Sequence, residues 1–203
     1  MNYLLDHQHL SNRYFAMRHG HSLANQEGII VSHPENGVDG YGLSERGVAQ
    51  VENSVLTSDL LGSDTLIISS DFKRARESAE IVHRLLKCLT PVCFDQRLRE
   101  RNFGELELSS DSNYSDVWRA DETSPDSRLK GAESVNEVME RVSAMVLGYE
   151  NKLNKATLLF ISHGDALQIL QTAFSKQSGS RHRYQKHLET AEIRRLEIGI
   201  VRQ

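Results

Sequence analysis

Hydrophobic positions along this chain come in two kinds of stretch, short unbroken runs and longer stretches with helical period, and the two alternate. After a polar segment over residues 1–12, Arg13–Met17 (RYFAM) is an apolar run that reads as a buried strand and stops at Arg18-His19-Gly20-His21-Ser22. Ala24 to Gly42 is rich in Gly, Asn, Ser and Pro without periodicity, which predicts a long loop with a turn of helix. Val48, Val51 and Val55 behind Ser44 and Glu45 predict a helix to about Leu61, and Thr65–Ser69 reads as a second strand. Asp71 is the expected N-cap of a helix through about Leu86 that carries Ala75, Ala79, Val82 and Leu85 on one side. Pro91–Phe94 reads as a short third strand. From Asp95 to Gly131 the sequence turns polar, and only Tyr114–Ala120 shows enough amphipathy for a short helix.

Ser134 and Glu137 form an S-x-x-E capping box, and Val135, Val138, Met139, Val142, Met145 and Val146 follow the i, i+3, i+4 template of an amphipathic helix. Thr157–Ile161 (TLLFI) is another buried strand, ending at Ser162-His163-Gly164-Asp165, and an apolar helix is expected from Ala166 to about Phe174. A basic stretch from Lys176 to His187 precedes one or two edge strands over Glu192–Val201. Strands alternating with helices predict an α/β fold, a three-layer α/β/α sandwich with a largely parallel central sheet. Residues 1–12 read as an N-terminal extension and residues 13–203 as one domain, a division that 203 residues accommodate.

Composition narrows the function classes. Hydrophobic residues at 38%, charged residues at 26% and only 3 Pro exclude collagen-like, low-complexity and wholly disordered chains. The 24 Lys+Arg against 28 Asp+Glu give a net charge of −4, so nothing global attracts nucleic acid or an anionic membrane, and any bound anion needs a local pocket. No run approaches the ~18 apolar residues of a membrane span, and Met1 to Asn12 lacks the pattern of a secretory signal, so a cytoplasmic location is expected. Cys88 and Cys93 are expected to be reduced, partly buried thiols.

Two apolar strands end in His-Gly, at His19-Gly20 and His163-Gly164, and open α/β sheets bind ligands at the carboxyl ends of their strands. Arg18 and Arg74 add two permanent charges at the same edge, and guanidinium matches phosphate with paired hydrogen bonds. Two unit charges about 4 Å apart repel by about 4 kcal/mol at an effective dielectric of about 20, so such a pocket is relieved by a dianionic phosphoryl group. Taken alone, Arg74 reads as a surface partner of Glu77 or Glu80, and Glu100 as one of Arg97 or Arg101.

Here the sequence resembles the histidine phosphatases, the phosphoglycerate mutase-like superfamily. The signature R-H-G-x-S/T-x-x-N stands as Arg18-His19-Gly20-His21-Ser22-Leu23-Ala24-Asn25, and G-L-S/T-x-x-G as Gly42-Leu43-Ser44-Glu45-Arg46-Gly47. Ser70-Asp71-Phe72-Lys73-Arg74-Ala75 matches S-D/P-x-x-R-A, and Leu98-Arg99-Glu100-Arg101-Asn102-Phe103-Gly104 matches the acid-bearing L-x-E-x-x-F-G. Gly131-Ala132-Glu133-Ser134 and Ser162-His163-Gly164 complete the set, in family order across most of residues 13–201. The chain departs from the family where Glu105-Leu106-Glu107-Leu108 follows the F-G without another Gly, and where His21 stands in place of the usual Glu or Gln.

The resemblance implies a phosphoglycerate mutase-like fold and a phosphomonoesterase of the histidine acid phosphatase type, acting on a small phosphorylated metabolite with no metal and no cofactor. His19 is then the nucleophile that becomes phosphohistidine, and Arg18, Arg74, His163 and Asn25 hold the phosphoryl oxygens. Glu100 is the general acid and later the base, Ser22 orients the phosphate loop, Gly164 belongs to the substrate-binding edge, and Glu133 anchors its loop through backbone N–H groups. His21 is expected to be an exposed loop histidine, and the Lys176–His187 stretch a solvated loop or a substrate-selecting flap. Mutases of the family carry a longer insertion between the positions of Glu100 and His163 and a shielding C-terminal tail; neither is clear here, which favours hydrolysis over mutase-type transfer. Two other readings are a catalytically silent phosphate-binding module and a metal-dependent barrel hydrolase using His19 and His21. Substrate identity is expected to rest on residues 26–42 and 105–130, and oligomeric state is not readable from the sequence.

Overall fold

The computed structural model describes residues 1–199. Five strands, β1 (Arg13–Arg18), β2 (Leu66–Ser69), β3 (Cys93–Phe94), β4 (Thr157–Ser162) and β5 (Ile193–Leu196), form one sheet in the order β3-β2-β4-β1-β5. The first four are mutually parallel, and β5 alone runs antiparallel, against β1. Seven helices connect them: α1 (Leu23–Glu27), α2 (Pro34–Gly37), α3 (Glu45–Leu56), α4 (Lys73–Leu86), α5 (Tyr114–Thr123), α6 (Val135–Glu150) and α7 (Gly164–Phe174).

The period of two along the central strands sorts the core into two halves. Tyr14, Ala16, Leu158 and Phe160 face α6 and α7, whereas Phe15, Met17, Leu159 and Ile161 face α3 and α4. Because β1 and β4 are covered on both faces they read as unbroken apolar runs, as buried parallel strands do. The expected three-layer sandwich is therefore present, with a mostly parallel sheet.

Local chemistry explains where the elements begin and end. Ser134 and Glu137 make both halves of the capping box that starts α6. Ser44 caps α3 by accepting from the Gly47 N–H, but α3 stops at Leu56 instead of Leu61. There Thr57 Oγ1 donates to the Asn53 carbonyl and Ser58 Oγ accepts from the Leu60 N–H, local bonds that compete with another helical turn. Asp71 does not cap α4; Phe72 holds that position, and the Asp71 carboxylate is taken by a two-pronged ion pair with Arg99. The third strand shortens to Cys93–Phe94, since Pro91 has no N–H for the ladder.

β5 covers only part of the predicted Glu192–Val201; Gly199 leaves the sheet to donate to the Phe174 carbonyl, and residues 200–201 lie outside the described residues. Residues 1–12 are tied to the rest of the molecule, with Leu4 fully buried, Asn2 donating to the Ala173 carbonyl and Tyr3 to Ser143. Both thiols are free, Cys88 half-buried and Cys93 exposed on the edge strand β3. Among the described residues no helix is long and apolar enough to cross a membrane.

Candidate active site

The carboxyl ends of β1, β2 and β4 converge on one cavity of about 200 Å³. β1 delivers Arg18 and His19, the loop after β2 delivers Ser70 and leads into α4 with Arg74, and β4 delivers His163 at the N-cap of α7. The His19 and His163 rings meet edge to face, 5.1 Å apart at their centroids. Gly20 and Gly47 let the loop after β1 cross the first turn of α3: a Cβ on Gly20 would lie 2.5 Å from the Gly47 carbonyl oxygen.

Hydrogen bonds fix the chemical state of His19. Its Nδ1 sits 2.7 Å from the Gly20 carbonyl, which can only accept, so Nδ1 carries the proton and Nε2 keeps its lone pair. Arg74 Nε donates to that Nε2 at 3.1 Å, aiming the lone pair among the cations. Burial, with Arg74 and Arg18 next in weight, holds the imidazole well below its ordinary range and hence neutral. His163 is neutral for the same reasons; when its Nε2 accepts from Ser70 Oγ at 2.9 Å, its Nδ1–H is the free donor.

Both arginines are short of partners. Arg74 is buried, gives one N–H to the Val31 carbonyl at 2.8 Å and leaves Nη1 unbonded; burial pushes it down to about 10, still charged at neutral pH. Arg18 bonds His187 Nε2 at 2.6 Å and the Leu188 carbonyl at 3.3 Å, and leaves Nε unbonded. Among the described residues neither guanidinium forms an ion pair with a carboxylate. Together with His163 Nδ1, three buried nitrogens of this cluster have no acceptor among the described residues.

Glu100 stands at the side of this cavity. Its Oε1 accepts from the backbone N–H of Arg101 (2.9 Å) and of Ala166 (3.0 Å), so the carboxyl proton belongs on Oε2, which has no protein partner among the described residues. Burial first, then the nearby Asp165 charge, raises its pKa. Glu133 binds the Asn102 N–H and a two-pronged Arg141, holding the loop that carries Glu100.

The family model of the histidine phosphatase superfamily (branch 1) matches residues 14–200. The chain belongs to the histidine phosphatase superfamily. A curated relative from Escherichia coli, named probable phosphoglycerate mutase GpmB, is 32% identical over 161 residues, covering 77% of this chain and 71% of that protein. Among solved structures, the mycobacterial glucosyl-3-phosphoglycerate phosphatase Rv2419c superposes with a TM-score of 0.73 at 20% identity, over 90% of this chain and 88% of that one. A putative alpha-ribazole-5'-P phosphatase from Escherichia coli gives 0.71 at 20% identity, over 93% and 99%. At these identities the structural likeness concerns the fold.

Within this histidine phosphatase fold, Arg18, His19, Ser22, Asn25, Arg74, Glu100 and Gly164 all line the cavity, and His163 reaches it only through its edge-to-face contact with His19. Ser22 caps α1, and the Asn25 side-chain Oδ1 accepts from the Ser22 N–H to complete a capping box; the Asn25 Nδ2 makes no hydrogen bond among the described residues. Arg74 pairs with neither Glu77 nor Glu80, and Glu100 with neither Arg97 nor Arg101, because both are turned inward by the sheet edge. His21 is half-buried and points away, Nδ1 to Ser44 Oγ at 2.9 Å, so it does not join His19 in a metal pair.

The basic stretch is not simply a solvated loop. His182 is buried, Arg183 pairs with Asp165 and stacks 3.6 Å over the Trp118 ring, and His187 lines the cavity, while Arg181 and Lys186 stay exposed. Sequence reasoning did not single out Asp111, Tyr114, Trp118 or Asp165 as site residues. Asp111 lies outside any predicted element, and Tyr114 and Trp118 fall in the predicted Tyr114–Ala120 helix, whose apolar positions read as packing and not as a cavity wall; the signal for Asp165 was its place directly after His163-Gly164.

Proposed function

We propose that this protein is a phosphomonoester hydrolase of the histidine acid phosphatase type, acting on a small phosphorylated metabolite through a phosphohistidine at His19. The observation that carries the reading is that Arg18, Arg74 and His163, each with a buried nitrogen that lacks a partner among the described residues, gather with His19 at one sheet edge, where Arg74 Nε donates to the lone pair of His19 Nε2. A phosphoryl dianion offers the acceptors those nitrogens lack and the charge the two guanidinium groups lack.

In the first step Arg74 Nε shifts its donation from Nε2 to a phosphoryl oxygen, and Nε2 attacks phosphorus. The bond to the leaving oxygen breaks as Glu100 Oε2 gives that oxygen its proton, so no free alkoxide forms. In the second step Glu100, now a carboxylate, takes a proton from water; the water oxygen displaces His19, and phosphate leaves. Positioning and preorganised charge supply most of the catalysis, as in other phosphoryl transfers.

Mutase-type transfer is the second reading, favoured by the name of the Escherichia coli relative at 32% identity. Incubation with 3-phosphoglycerate and a bisphosphoglycerate primer separates the two. Free phosphate released faster than isomerised phosphoglycerate is expected; isomerisation outpacing release reverses the assignment.

A further inference from the structure

The part of the cavity beyond the phosphoryl cradle has a charge pattern of its own. It is built by two segments, residues 28–31 and 108–118, which are zipped together: Ile30 N–H donates to the Ser109 carbonyl, Leu108 N–H to Ile30 and Asp111 N–H to Gly28. Ile29 and Val31 give one aliphatic wall, and Asp111, Tyr114 and Trp118 the other. At about 200 Å³ in total, this cavity lies below the roughly 300–1,000 Å³ of drug-sized sites, so little beyond a phosphoryl group and a few carbons fits.

Among the described residues no free cation faces that space. Arg74 is directed at His19 Nε2, and Arg18 is held by His187 and the Leu188 carbonyl. His187 accepts from Arg18 through Nε2 and is held neutral by burial and by Arg18. Arg183, the next guanidinium outward, is committed to Asp165 and Gln168. On the far side of Glu100 an open groove holds Arg99, Arg128 and Arg141, each already paired with Asp71, Glu137 or Glu133.

What does face the space is a carboxylate and a hydroxyl. Asp111 forms no ion pair or side-chain hydrogen bond among the described residues. Tyr114 is clamped edge-on by Phe103 (4.6 Å) and stacked on Trp118 (5.2 Å), yet its hydroxyl has no partner there. A phenol fixed on both sides with a free O–H is a preorganised donor and acceptor.

From this pattern we infer that the leaving-group subsite takes a small alcohol without negative charge, hydroxylated or cationic, read by Tyr114 and Asp111, and disfavours one bearing a carboxylate. The inference rests on the cavity being a phosphomonoester site and specifies which esters it accepts. A phosphoglycerate leaving group would bring its carboxylate toward Asp111 with no uncommitted guanidinium among the described residues to meet it.

The test uses non-hydrolysable three-carbon phosphonates of equal length and measures binding by calorimetry on the wild-type protein, with inorganic phosphate as reference. The probes are 3-aminopropylphosphonate, 3-hydroxypropylphosphonate and 2-carboxyethylphosphonate. The amine and hydroxyl probes are expected to bind at least about fivefold tighter than the carboxylate, the effect of roughly one exposed charge pair. Asp111→Lys should reverse the order of amine and carboxylate, and Tyr114→Phe should weaken the hydroxyl probe relative to inorganic phosphate. Carboxylate binding equal to or tighter than the others overturns the inference. Inorganic phosphate binding with no response to any of the three probes overturns the subsite and leaves the phosphate site standing, whereas no phosphate binding at all overturns both.

Discussion

Two groups of buried arginine lie side by side in this molecule and are treated in opposite ways. Arg101 is completely buried, yet every arm is answered: Asp121 takes two of its nitrogens at 2.6 and 2.8 Å, Asp165 accepts at 3.1 Å, and the Glu133 carbonyl at 2.6 Å. Burial alone would raise Asp165, but Arg101, with His182 and Arg183, holds it below the usual carboxylate range. Arg18 and Arg74, in the adjoining cavity, have no carboxylate in contact and keep unbonded nitrogens. A protein leaves buried charge uncompensated at a cost of several kcal/mol, so the second group is suited to the phosphoryl dianion of the proposed reaction, whereas the first is complete already.

Breaking the complete group should cost the most stability. Arg101→Met leaves Asp121 and Asp165 buried without a cation, and a loss of about 3–5 kcal/mol is expected in denaturant unfolding. Arg74→Met should do the reverse: stability holds or rises as an unpaired charge disappears, while kcat/KM for an aryl phosphate falls by about 10²–10³, or about 2.7–4 kcal/mol. The same variant should abolish the stabilisation by inorganic phosphate, which in the wild type reaches about 2.7 kcal/mol at about 100 times Kd.

A smaller effect follows from the histidines. His19 and His163 are held well below the ordinary imidazole value of about 6.5 in the folded state, so the unfolded chain binds protons first as pH falls. Stability contributed by the neutral rings is present above about pH 6.5 and is lost below it, by up to about 1.4 kcal/mol per pH unit for each ring. Unfolding measured from pH 7 to pH 5 should show a shallower slope for His19→Asn than for the wild type. The smallest effect belongs to His21→Ala, expected to change the activation free energy by less than about 0.5 kcal/mol, since His21 faces Ser44 and not the cavity. A larger loss of kcat/KM there would draw His21 into the site.

The same contrast explains what could be read in the sequence. The uncompensated group sits at strand ends after strongly apolar runs, where Arg18-His19-Gly20 and Ser162-His163-Gly164 are conspicuous, and the layered fold followed from the alternation around them. The complete group was invisible, because Arg101, Asp121 and Asp165 lie far apart in the chain and are brought together by the packing of α5 on the Gly179–Tyr184 turn and of that turn on α7. Asp71 failed as a predicted cap for a related reason: a long-range partner, Arg99, outcompeted a local one. Arg183 and His187 lay hidden in a stretch whose charge suggested solvent, and Tyr114 on a predicted helix whose aromatic positions read as packing and not as a cavity wall.

The central claim is that His19 Nε2 takes a phosphoryl group held by the uncompensated arginines. Rapid acid-free quenching of the protein during turnover of an aryl phosphate, followed by mapping of the labelled peptide, tests it directly. A single acid-labile, base-stable phosphohistidine at His19, absent from His19→Ala together with the activity, is the expected result. Turnover that persists in His19→Ala, or phosphate found on another residue, would contradict the account.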